Sequence, residues 1–249
     1  MSTSPSASTP VALITGASQR LGAATAKQLH SQGYNIVIHY RHSVTEAQGL
    51  ADQLNQLKED SCICLQADLN KPNDIQQLCQ QSVQRWQRLD LLVNNASSFF
   101  PTPIGKTSTE HWDDLFASNC KAPFFLSQEL APTLAKHQGN IVNMIDIHAS
   151  APLKNHTVYC MAKSALQMMT LSLAKELAPS IRVNGVAPGA ILWPKPEAEM
   201  TTEEKNKILS GIPLERLGTL EDIAKTIVFL ATSSYITGQI IAVDGGRSI

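Results

Sequence analysis

Short runs of apolar residues alternate with longer amphipathic segments along the chain, and this alternation predicts strands separated by helices. The runs that we expect to be strands are 11–15, 34–40, 62–69, 89–94, 140–146, 181–186 and 239–243. Helices are expected over about 20–32 and between the second and third runs as far as Leu57. Strands connected through helices pair in parallel and are covered on both faces. The pattern therefore predicts a doubly wound α/β fold with a seven-stranded parallel sheet.

The chain shows no internal repeat and no Pro/Gly-rich linker, so its 249 residues are expected to form one domain over 11–249. Residues 1–10 are rich in Ser, Thr and Pro and lack the basic start and apolar run of a secretory signal, which indicates a disordered tail. A long irregular stretch begins at Pro188, after the carboxyl end of a strand, where ligands of such sheets bind. We expect a substrate loop over about 188–212 with a lid role, and a passive surface loop is the alternative.

The composition argues against several classes of function. Apolar residues make up 43% and charged residues 16% of the chain, and the net charge of -1 provides no field that would attract nucleic acid or an anionic membrane. No apolar run is long enough to cross a bilayer. The five cysteines form no CxxC pair and the seven histidines lack zinc-ligand spacing. We therefore expect free thiols, no metal site and a reducing, cytoplasmic location.

A glycine-rich turn lies between the first predicted strand and the first predicted helix. Glycine lets the backbone approach a pyrophosphate closely, and the positive end of the helix dipole favours its charge. At this position the turn predicts a dinucleotide site at Gly16, Gln19, Arg20, Leu21 and Gly22, with a merely structural turn as the alternative. Arg20 can contact a phosphate or project into the substrate cleft.

The end of the second predicted strand carries no acidic residue, whereas sites specific for NAD usually place one there for the ribose 2′-hydroxyl. The residues at this position are His39, Tyr40, Arg41, His42 and Ser43. A cluster of cations and hydroxyls suits a 2′-phosphate, and we therefore predict NADPH/NADP+ as the cofactor. A solvated surface cluster is the alternative.

Polar residues also follow the third and fourth predicted strands. Asp68 and Leu69 are expected beside the adenine, whose amino group can donate to a carboxylate, and Asn95 and Ala96 beside the inner ribose and nicotinamide. Single Asp or Asn residues at strand ends are often only turn formers. The prediction depends on their recurrence at successive strand ends.

Tyr159 and Lys163 are one helical turn apart, so their side chains share a face of the predicted helix. A neighbouring ammonium group stabilises tyrosinate and lowers the pKa of a tyrosine, which predicts Tyr159 as a proton donor near neutral pH. Lys163 can also bind ribose hydroxyls of the cofactor. A Tyr and a Lys at this spacing are common by chance, and the pair alone is weak evidence.

In combination, these motifs resemble the short-chain dehydrogenase/reductase family. The matching motifs, in family order, are the glycine turn, Asn94-Asn95-Ala96, Asn119, Tyr159 with Lys163, Arg182-Val183-Asn184, Pro188-Gly189 and Val243 to Gly246. The resemblance implies a single-domain Rossmann fold, cofactor contacts from Ser97, Pro188 and Gly189, and a proton relay in which Asn119 holds a water. It also implies a homotetramer built through the long helices around Asn119 and Tyr159, in which Arg247 can approach a neighbouring subunit's active site.

Departures from the common family pattern resemble the pteridine reductases. Arg20 replaces one glycine, Ser97 replaces another, and Asp146 stands where the family normally has its catalytic serine. The end of the second strand resembles the pteridine reductase pattern with the order of Arg41 and His42 reversed. The residues implied to surround the pterin are Arg20, Ser97, Phe99, Asp146 and Tyr159.

The resulting hypothesis is an enzyme that transfers hydride from NADPH to a ring C=N of a dihydropterin and forms a tetrahydro product. Dihydrobiopterin and dihydromonapterin are the expected type of substrate, with dihydrofolate as a further candidate. Phe99 stacks on the flat pterin, Asp146 orients Tyr159 for proton transfer, and Leu192 and Trp193 form walls of the substrate loop. The alternatives are a 3-oxoacyl or other carbonyl reductase, which would have serine at 146 and glycine at 97, and a non-catalytic NADPH-binding protein.

Overall fold

The computed structural model describes residues 9–192 and 201–249. Within these residues the chain forms a seven-stranded, fully parallel sheet with the strand order β3-β2-β1-β4-β5-β6-β7. The strands are β1 (Val11–Ile14), β2 (Asn35–Tyr40), β3 (Cys62–Gln66), β4 (Leu91–Asn94), β5 (Asn140–Met144), β6 (Arg182–Pro188) and β7 (Ile240–Val243). The order reverses between β1 and β4, which confirms the predicted doubly wound Rossmann fold.

The helices cover both faces of this sheet. They are α1 (Arg20–Ser31), α2 (Val44–Leu57), α3 (Pro72–Gln84), α4 (Thr109–Phe116), α5 (Ala122–Lys136), α6 (Thr157–Glu176), α7 (Thr202–Ser210) and α8 (Leu220–Thr232). One turn of π-helix (Ala117–Lys121) joins α4 to α5, and a short 3₁₀ helix (Ile147–Ala149) follows β5. No helix in the described parts of the chain combines the length and apolar character that a bilayer crossing requires.

The hydrophobic core has two main layers, one on each side of the sheet. Helices α1, α2 and α8 pack on one face, and α3, α5 and α6 pack on the other. Strands β1 and β4 are buried throughout, because both of their faces are covered. This is why these strands are apolar up to Asn94, the last residue of β4, and show no polar alternation.

Two strands end two or more residues before the residue that the apolar pattern predicts. β3 ends at Gln66 and β5 at Met144, and each is followed closely by an aspartate. Asp68 Oδ1 accepts from the backbone N–H of Asn70 at 3.2 Å, and Asp146 Oδ1 from that of His148 at 2.8 Å. A carboxylate that bonds the backbone two residues onward replaces the strand with a turn.

The predicted substrate loop over 188–212 is in part regular structure. β6 continues to Pro188, and α7 occupies residues 202–210. Thr201 accepts from the backbone N–H of Glu204, whose side chain in turn accepts from the backbone of Thr201. This capping box specifies the start of α7, a helix that the sequence analysis had included in the predicted loop. Residues 193–200 of the loop, with Trp193, lie outside the described residues, as do residues 1–8 of the predicted tail.

Candidate active site

A cleft of about 640 Å³ runs along the carboxyl ends of the strands, centred where the strand order reverses between β1 and β4. Such a crevice is the usual ligand site of a doubly wound sheet. The predicted site residues that line it are Gly16, Gln19, Arg20, Leu21, Gly22, His39, Arg41, Asp68, Leu69, Asn95, Ala96, Ser97, Phe99, Asp146, Tyr159, Lys163, Pro188, Gly189 and Leu192. Tyr40, His42, Ser43 and Asn119 are not part of the lining.

The glycine turn packs tightly against the end of β4. Gly16 has a φ of +62°, and a Cβ on it would lie 3.1 Å from the Cα of Ala96. A Cβ on Gly22 would lie 2.5 Å from the carbonyl oxygen of Gly16 and 2.7 Å from Asn95 Nδ2. Larger residues at 16 or 22 would therefore push the turn away from the strand end. Glycine is therefore needed at both positions for the turn to pack against the end of β4.

Asn95 holds the carbonyl side of this turn. Its Nδ2 donates to the carbonyl oxygens of Thr15 at 2.8 Å and Gly16 at 3.1 Å. The hydroxyl of Thr15 accepts from the backbone N–H groups of Asn95 and Ala96, each at 2.9 Å. Asn95, which the sequence predicted beside the ribose, thus lines the cleft and also fixes the shape of the glycine turn.

Arg20 begins α1 with a φ of +51°, in the left-handed region that favours glycine. This backbone geometry explains why a glycine is common at this position of the family pattern. The side chain of Arg20 is exposed and lines the cleft. Its guanidinium is therefore available to an anionic or oxygen-bearing ligand.

Two of the basic residues predicted at the end of β2, His39 and Arg41, line the cleft, and their environments differ. Arg41 forms an ion pair with Asp68, with its Nε 3.2 Å from Asp68 Oδ1 and its NH2 group 3.3 Å from Oδ2. His39 is 2% exposed, and burial lowers its pKa to about 4. The cationic role expected of His39 is therefore wrong, because a buried imidazole is neutral at physiological pH. Arg41 supplies positive charge to the cleft at this strand end.

Tyr159 and Asp146 meet at the opposite end of the cleft. The Tyr159 hydroxyl donates to Asp146 Oδ2 at 2.7 Å, while Asp146 Oδ1 accepts from the backbone N–H of His148. Burial, together with the adjacent Asp146 carboxylate, raises the pKa of Tyr159 well above its usual value. The phenol therefore keeps its proton at neutral pH, and the carboxylate sets the orientation of its O–H bond.

Lys163 shares a helix face with Tyr159. The sequence predicted that Lys163 lowers the pKa of Tyr159, and this prediction is wrong. Lys163 Nζ donates to the carbonyl oxygen of Met144 at 2.8 Å and lies 5.7 Å from the centroid of the Tyr159 ring. Burial lowers the pKa of Lys163 to about 8, so it stays mostly charged at pH 7 and loses its charge just above neutral pH. Desolvation and the Asp146 carboxylate dominate the titration of Tyr159 instead.

Asn119 lies in the π-helical turn, fully buried behind the cleft wall. Its Nδ2 donates to the carbonyl oxygens of Ser98 at 2.9 Å and Leu115 at 3.0 Å, and its Oδ1 accepts from the Ser97 hydroxyl at 2.6 Å. Asn119 therefore contacts the cleft through Ser97, a residue that is glycine in the common family pattern.

Phe99 is 57% exposed at the mouth of the cleft. Its ring stacks on His156, with centroids 4.7 Å apart and 10° between the planes, and packs edge-on against Tyr159 at 4.8 Å. Sequence reasoning did not find His156, because a histidine before a helix carries no signal of a ring 57 positions away. The lining residues that the sequence did not predict are Ala67, Asn70, Ser98, Ser118, Met144, Ile145, Ala190 and Ile191.

The five cysteines are free thiols, and burial raises the pKa of Cys79 to about 12 and that of Cys64 to about 11. Among the described residues, no group of three or more His, Cys, Asp or Glu side chains is arranged to hold a metal ion.

Comparison with known proteins agrees with this geometry. A family model described as enoyl-(acyl carrier protein) reductase matches residues 16–248. The chain is 39% identical to pteridine reductase 1 from Leishmania tarentolae, over 100% of this chain and 99% of that protein. It is 34% identical to a 3-oxoacyl-(acyl-carrier-protein) reductase from Staphylococcus aureus, over 96% of this chain and 98% of that protein. A short-chain type dehydrogenase/reductase from Picea abies is 33% identical, over 95% and 92%. The chain therefore belongs to the short-chain dehydrogenase/reductase family of NAD(P)-dependent oxidoreductases.

Proposed function

We propose that the protein is an NADPH-dependent pteridine reductase. Its substrates are dihydropterins of the dihydrobiopterin or dihydromonapterin type, with dihydrofolate as a further candidate, and its products are the tetrahydro forms. The observation that carries the proposal is the 2.7 Å hydrogen bond between the Tyr159 hydroxyl and Asp146 Oδ2. It places a carboxylate where a carbonyl reductase of this family has serine.

The pairing of a carboxylate with the tyrosine suits reduction of a ring C=N. A serine hydroxyl can donate to the substrate oxygen while a carbonyl is reduced, and a carboxylate cannot. Hydride transfer to the carbon of a ring C=N leaves an electron pair on the ring nitrogen, which takes a proton, and the Tyr159 phenol carries one within the cleft. Asp146 can also accept from N–H groups on the polar edge of a pterin.

The described residues fit a dinucleotide. Gly16 and Gly22 let the turn pack closely against the end of β4, and the turn leads into the N-terminus of α1, which favours a pyrophosphate. Arg41 is paired with Asp68 and offers the remaining donors of its guanidinium to a 2′-phosphate. When bound, NADPH supplies the hydride. Lys163 lies buried beside Tyr159 and uses one of its three N–H donors on the carbonyl of Met144, which leaves two for ribose hydroxyls.

Side chains at the other end of the cleft suit a flat aromatic substrate. Phe99 presents an exposed ring, and the edge-on contact with Tyr159 keeps that ring beside the proton donor. Arg20 faces the same cleft and can bind an oxygen of the substrate or a phosphate of the cofactor. Leu192 contributes an apolar wall where the predicted substrate loop begins.

A carbonyl reductase acting on 3-oxoacyl thioesters is the second candidate. It is favoured by the 34% identity to the 3-oxoacyl reductase. The 39% identity to pteridine reductase 1 and the Asp146–Tyr159 pair favour the pterin substrate. A non-catalytic NADPH-binding protein would have no use for the paired proton donor.

The proposed reductase is cytoplasmic and homotetrameric, and Arg247 reaches the active site of a neighbouring subunit. Arg247 does not line the cleft of its own chain. If Arg247 acts in trans, Arg247→Ala raises the KM for the pterin without changing the stability of the fold. Equal turnover in Arg247→Ala and the unmodified protein removes this part of the proposal.

The test is to follow NADPH absorbance with dihydrobiopterin, dihydrofolate and an acetoacetyl thioester in parallel assays. NADPH oxidation with the pterins but not with the thioester supports the proposal. The relative rates with dihydrobiopterin and dihydrofolate then show which substrate side chain the enzyme prefers. Oxidation with the thioester alone would replace it with the carbonyl reductase. Asp146→Ser and Asp146→Asn serve as matched variants, because only the serine restores the family's usual group. Both are expected to lose pterin turnover.

A further inference from the structure

The His39 ring lies at the junction of three segments that end at the cleft. Its Nδ1 is 3.0 Å from the backbone nitrogen of Gly16, and its Nε2 is 3.1 Å from the carbonyl oxygen of Ala67. The backbone N–H of Gly16 is a donor and the carbonyl of Ala67 is an acceptor. One neutral tautomer satisfies both contacts: Nδ1 accepts from Gly16, and Nε2–H donates to Ala67.

A protonated ring does not fit this place. Protonation would put a hydrogen on Nδ1 that points at the N–H of Gly16, and it would charge a side chain that is 2% exposed. The closest acidic side chain that acts on the ring is Asp68, which is already paired with Arg41. Burial accordingly lowers the pKa of His39 to about 4.

The contact with His39 complements the contact with Asn95 on the same residue, Gly16. Asn95 Nδ2 donates to the carbonyl oxygen of Gly16, and His39 Nδ1 accepts from its N–H. The next residue is held as well, because the backbone N–H of Ala17 donates to the carbonyl oxygen of His39 at 2.9 Å. Glycine loses more conformational freedom on ordering than any other residue. Bonds to both polar groups of Gly16 therefore hold the turn in its binding shape before a ligand arrives.

We propose that His39 is a positioning residue, which in its neutral form fixes the Gly16 amide and so preorganises the turn that binds the dinucleotide. It contributes geometry to cofactor binding, and Arg41 contributes charge. The proposal deepens the function proposed above and uses NADPH as its probe, so it rests on NADPH binding but not on the identity of the reduced substrate.

The experiment compares His39→Asn with His39→Gln. The Oδ1 of an asparagine takes the place of Nδ1 and can accept from Gly16, while the bond to Ala67 is lost. The Nε2 of a glutamine takes the place of the histidine Nε2 and can donate to Ala67, while Gly16 loses its acceptor. Both variants remove one of two buried hydrogen bonds, and both are expected to lower the Tm by similar amounts.

NADPH affinity, measured by titration of intrinsic fluorescence, separates the two variants. His39→Asn is expected to bind NADPH within about threefold of the unmodified protein, and His39→Gln to bind it about tenfold more weakly or worse. The matched control is His30→Asn, since His30 is also buried and bonds Ser61 in a different part of the fold. It is expected to lower the Tm and leave the Kd for NADPH unchanged.

A role for His39 in general stability alone predicts that both variants weaken NADPH binding equally or not at all, and either result overturns the proposal. If a variant does not fold, the ¹⁵N chemical shifts of the His39 ring in the unmodified protein decide. A neutral ring protonated at Nε2 at pH 7 supports the proposal, and a charged ring or one protonated at Nδ1 overturns it. Failure of the unmodified protein to bind NADPH would instead contradict the proposed function.

Discussion

Arg20 occupies a backbone conformation that costs glycine nothing and costs other residues about 1 kcal/mol or more. Its φ is +51°, and its positive charge lies at the N-terminus of α1, where the helix dipole disfavours cations. We propose that a contact to ligand accounts for this residue, which is unfavourable for stability in two ways. Lys163 is also unfavourable for stability, because its ammonium group is buried at the floor of the cleft.

Arg20→Gly is expected to raise the free energy of unfolding by about 1 kcal/mol, since it relieves the left-handed strain. The same change is expected to raise the KM for the pterin or for NADPH by about tenfold, since it removes a charged hydrogen-bond donor. Thermal unfolding and steady-state kinetics measure the two effects. An unchanged KM for both ligands would show that Arg20 binds neither.

Tyr159→Phe is expected to remove nearly all turnover while leaving the Kd for NADPH intact. The phenol proton that Asp146 orients is lost, whereas the aromatic ring and the surrounding packing remain. Stopped-flow kinetics and a fluorescence titration test the two statements separately. Substantial turnover in this variant would exclude Tyr159 as the proton donor.

Lys163→Met is expected to stabilise the fold at pH 7 and to reduce turnover strongly. The pKa of Lys163 is lowered to about 8 by burial, whereas an unfolded lysine titrates near 10.4. The unfolded chain therefore binds more protons between these values. The folded state is penalised fully below pH 8, and the penalty fades as the pH rises toward 10.4. The gain on substitution is at most about 3 kcal/mol at pH 7 and shrinks by pH 10.

Thermal unfolding of Lys163→Met and the unmodified protein at pH 7 and pH 10 measures this difference. Equal stabilisation at both pH values would mean that the charge of Lys163 is not the source of the penalty. The hydrogen bond to the carbonyl of Met144 is lost at both pH values, so it does not produce the pH dependence.

At the scale of elements, local capping signals decide where helices begin. Thr219 accepts from the backbone N–H of Asp222, whose carboxylate accepts in turn from the backbone of Thr219. The same arrangement begins α7 at Thr201. These caps lie apart from Tyr159 and Asp146, so they affect stability without entering the chemistry.

Thr219→Ala is expected to lower the free energy of unfolding by about 1 kcal/mol, because the N-terminus of α8 loses its hydroxyl acceptor. Turnover and the Kd for NADPH are expected to stay unchanged at temperatures where the variant is folded. Chemical denaturation compared with kinetics measures the two quantities. Thr219→Ser, which retains the acceptor, is the control and is expected to lose less stability.

At the scale of the whole molecule, α5 and α6 expose apolar side chains that a monomer would leave in water. These are Phe124 and Phe125 on α5 and Met161, Met168 and Leu171 on α6. Aromatic and methionine side chains are enriched at protein interfaces. The surface agrees with the proposed homotetramer built through these helices.

Sedimentation equilibrium is expected to give a mass about four times that of one chain, as in a closed tetramer of twofold symmetry. The double variant Phe124→Glu, Met168→Glu is expected to sediment as a smaller species, because it places charges on the exposed helix faces. Leu57→Glu, at an exposed position of α2, is the control and is expected to retain the mass of the unmodified protein. A monomeric unmodified protein contradicts the tetramer.

The sequence by itself determined the parallel sheet, the turn at Gly16 and the strand ends that form the cleft. These features follow from patterns over short stretches of chain, namely apolar runs and turn residues. The predicted ends of β3 and β5 were too late, because Asp68 and Asp146 bond the backbone just beyond them. Local side-chain chemistry of this kind shifts a boundary without changing the fold.

Only the tertiary structure decided the state of the titratable groups at the site. His39 meets Gly16 from 23 positions away along the chain, and Tyr159 meets Asp146 from 13. Desolvation then makes His39 neutral, keeps Tyr159 protonated and lowers the pKa of Lys163. The sequence shows that these groups are present. Their charges depend on burial and on distant hydrogen-bond partners, which exist only once the chain is folded.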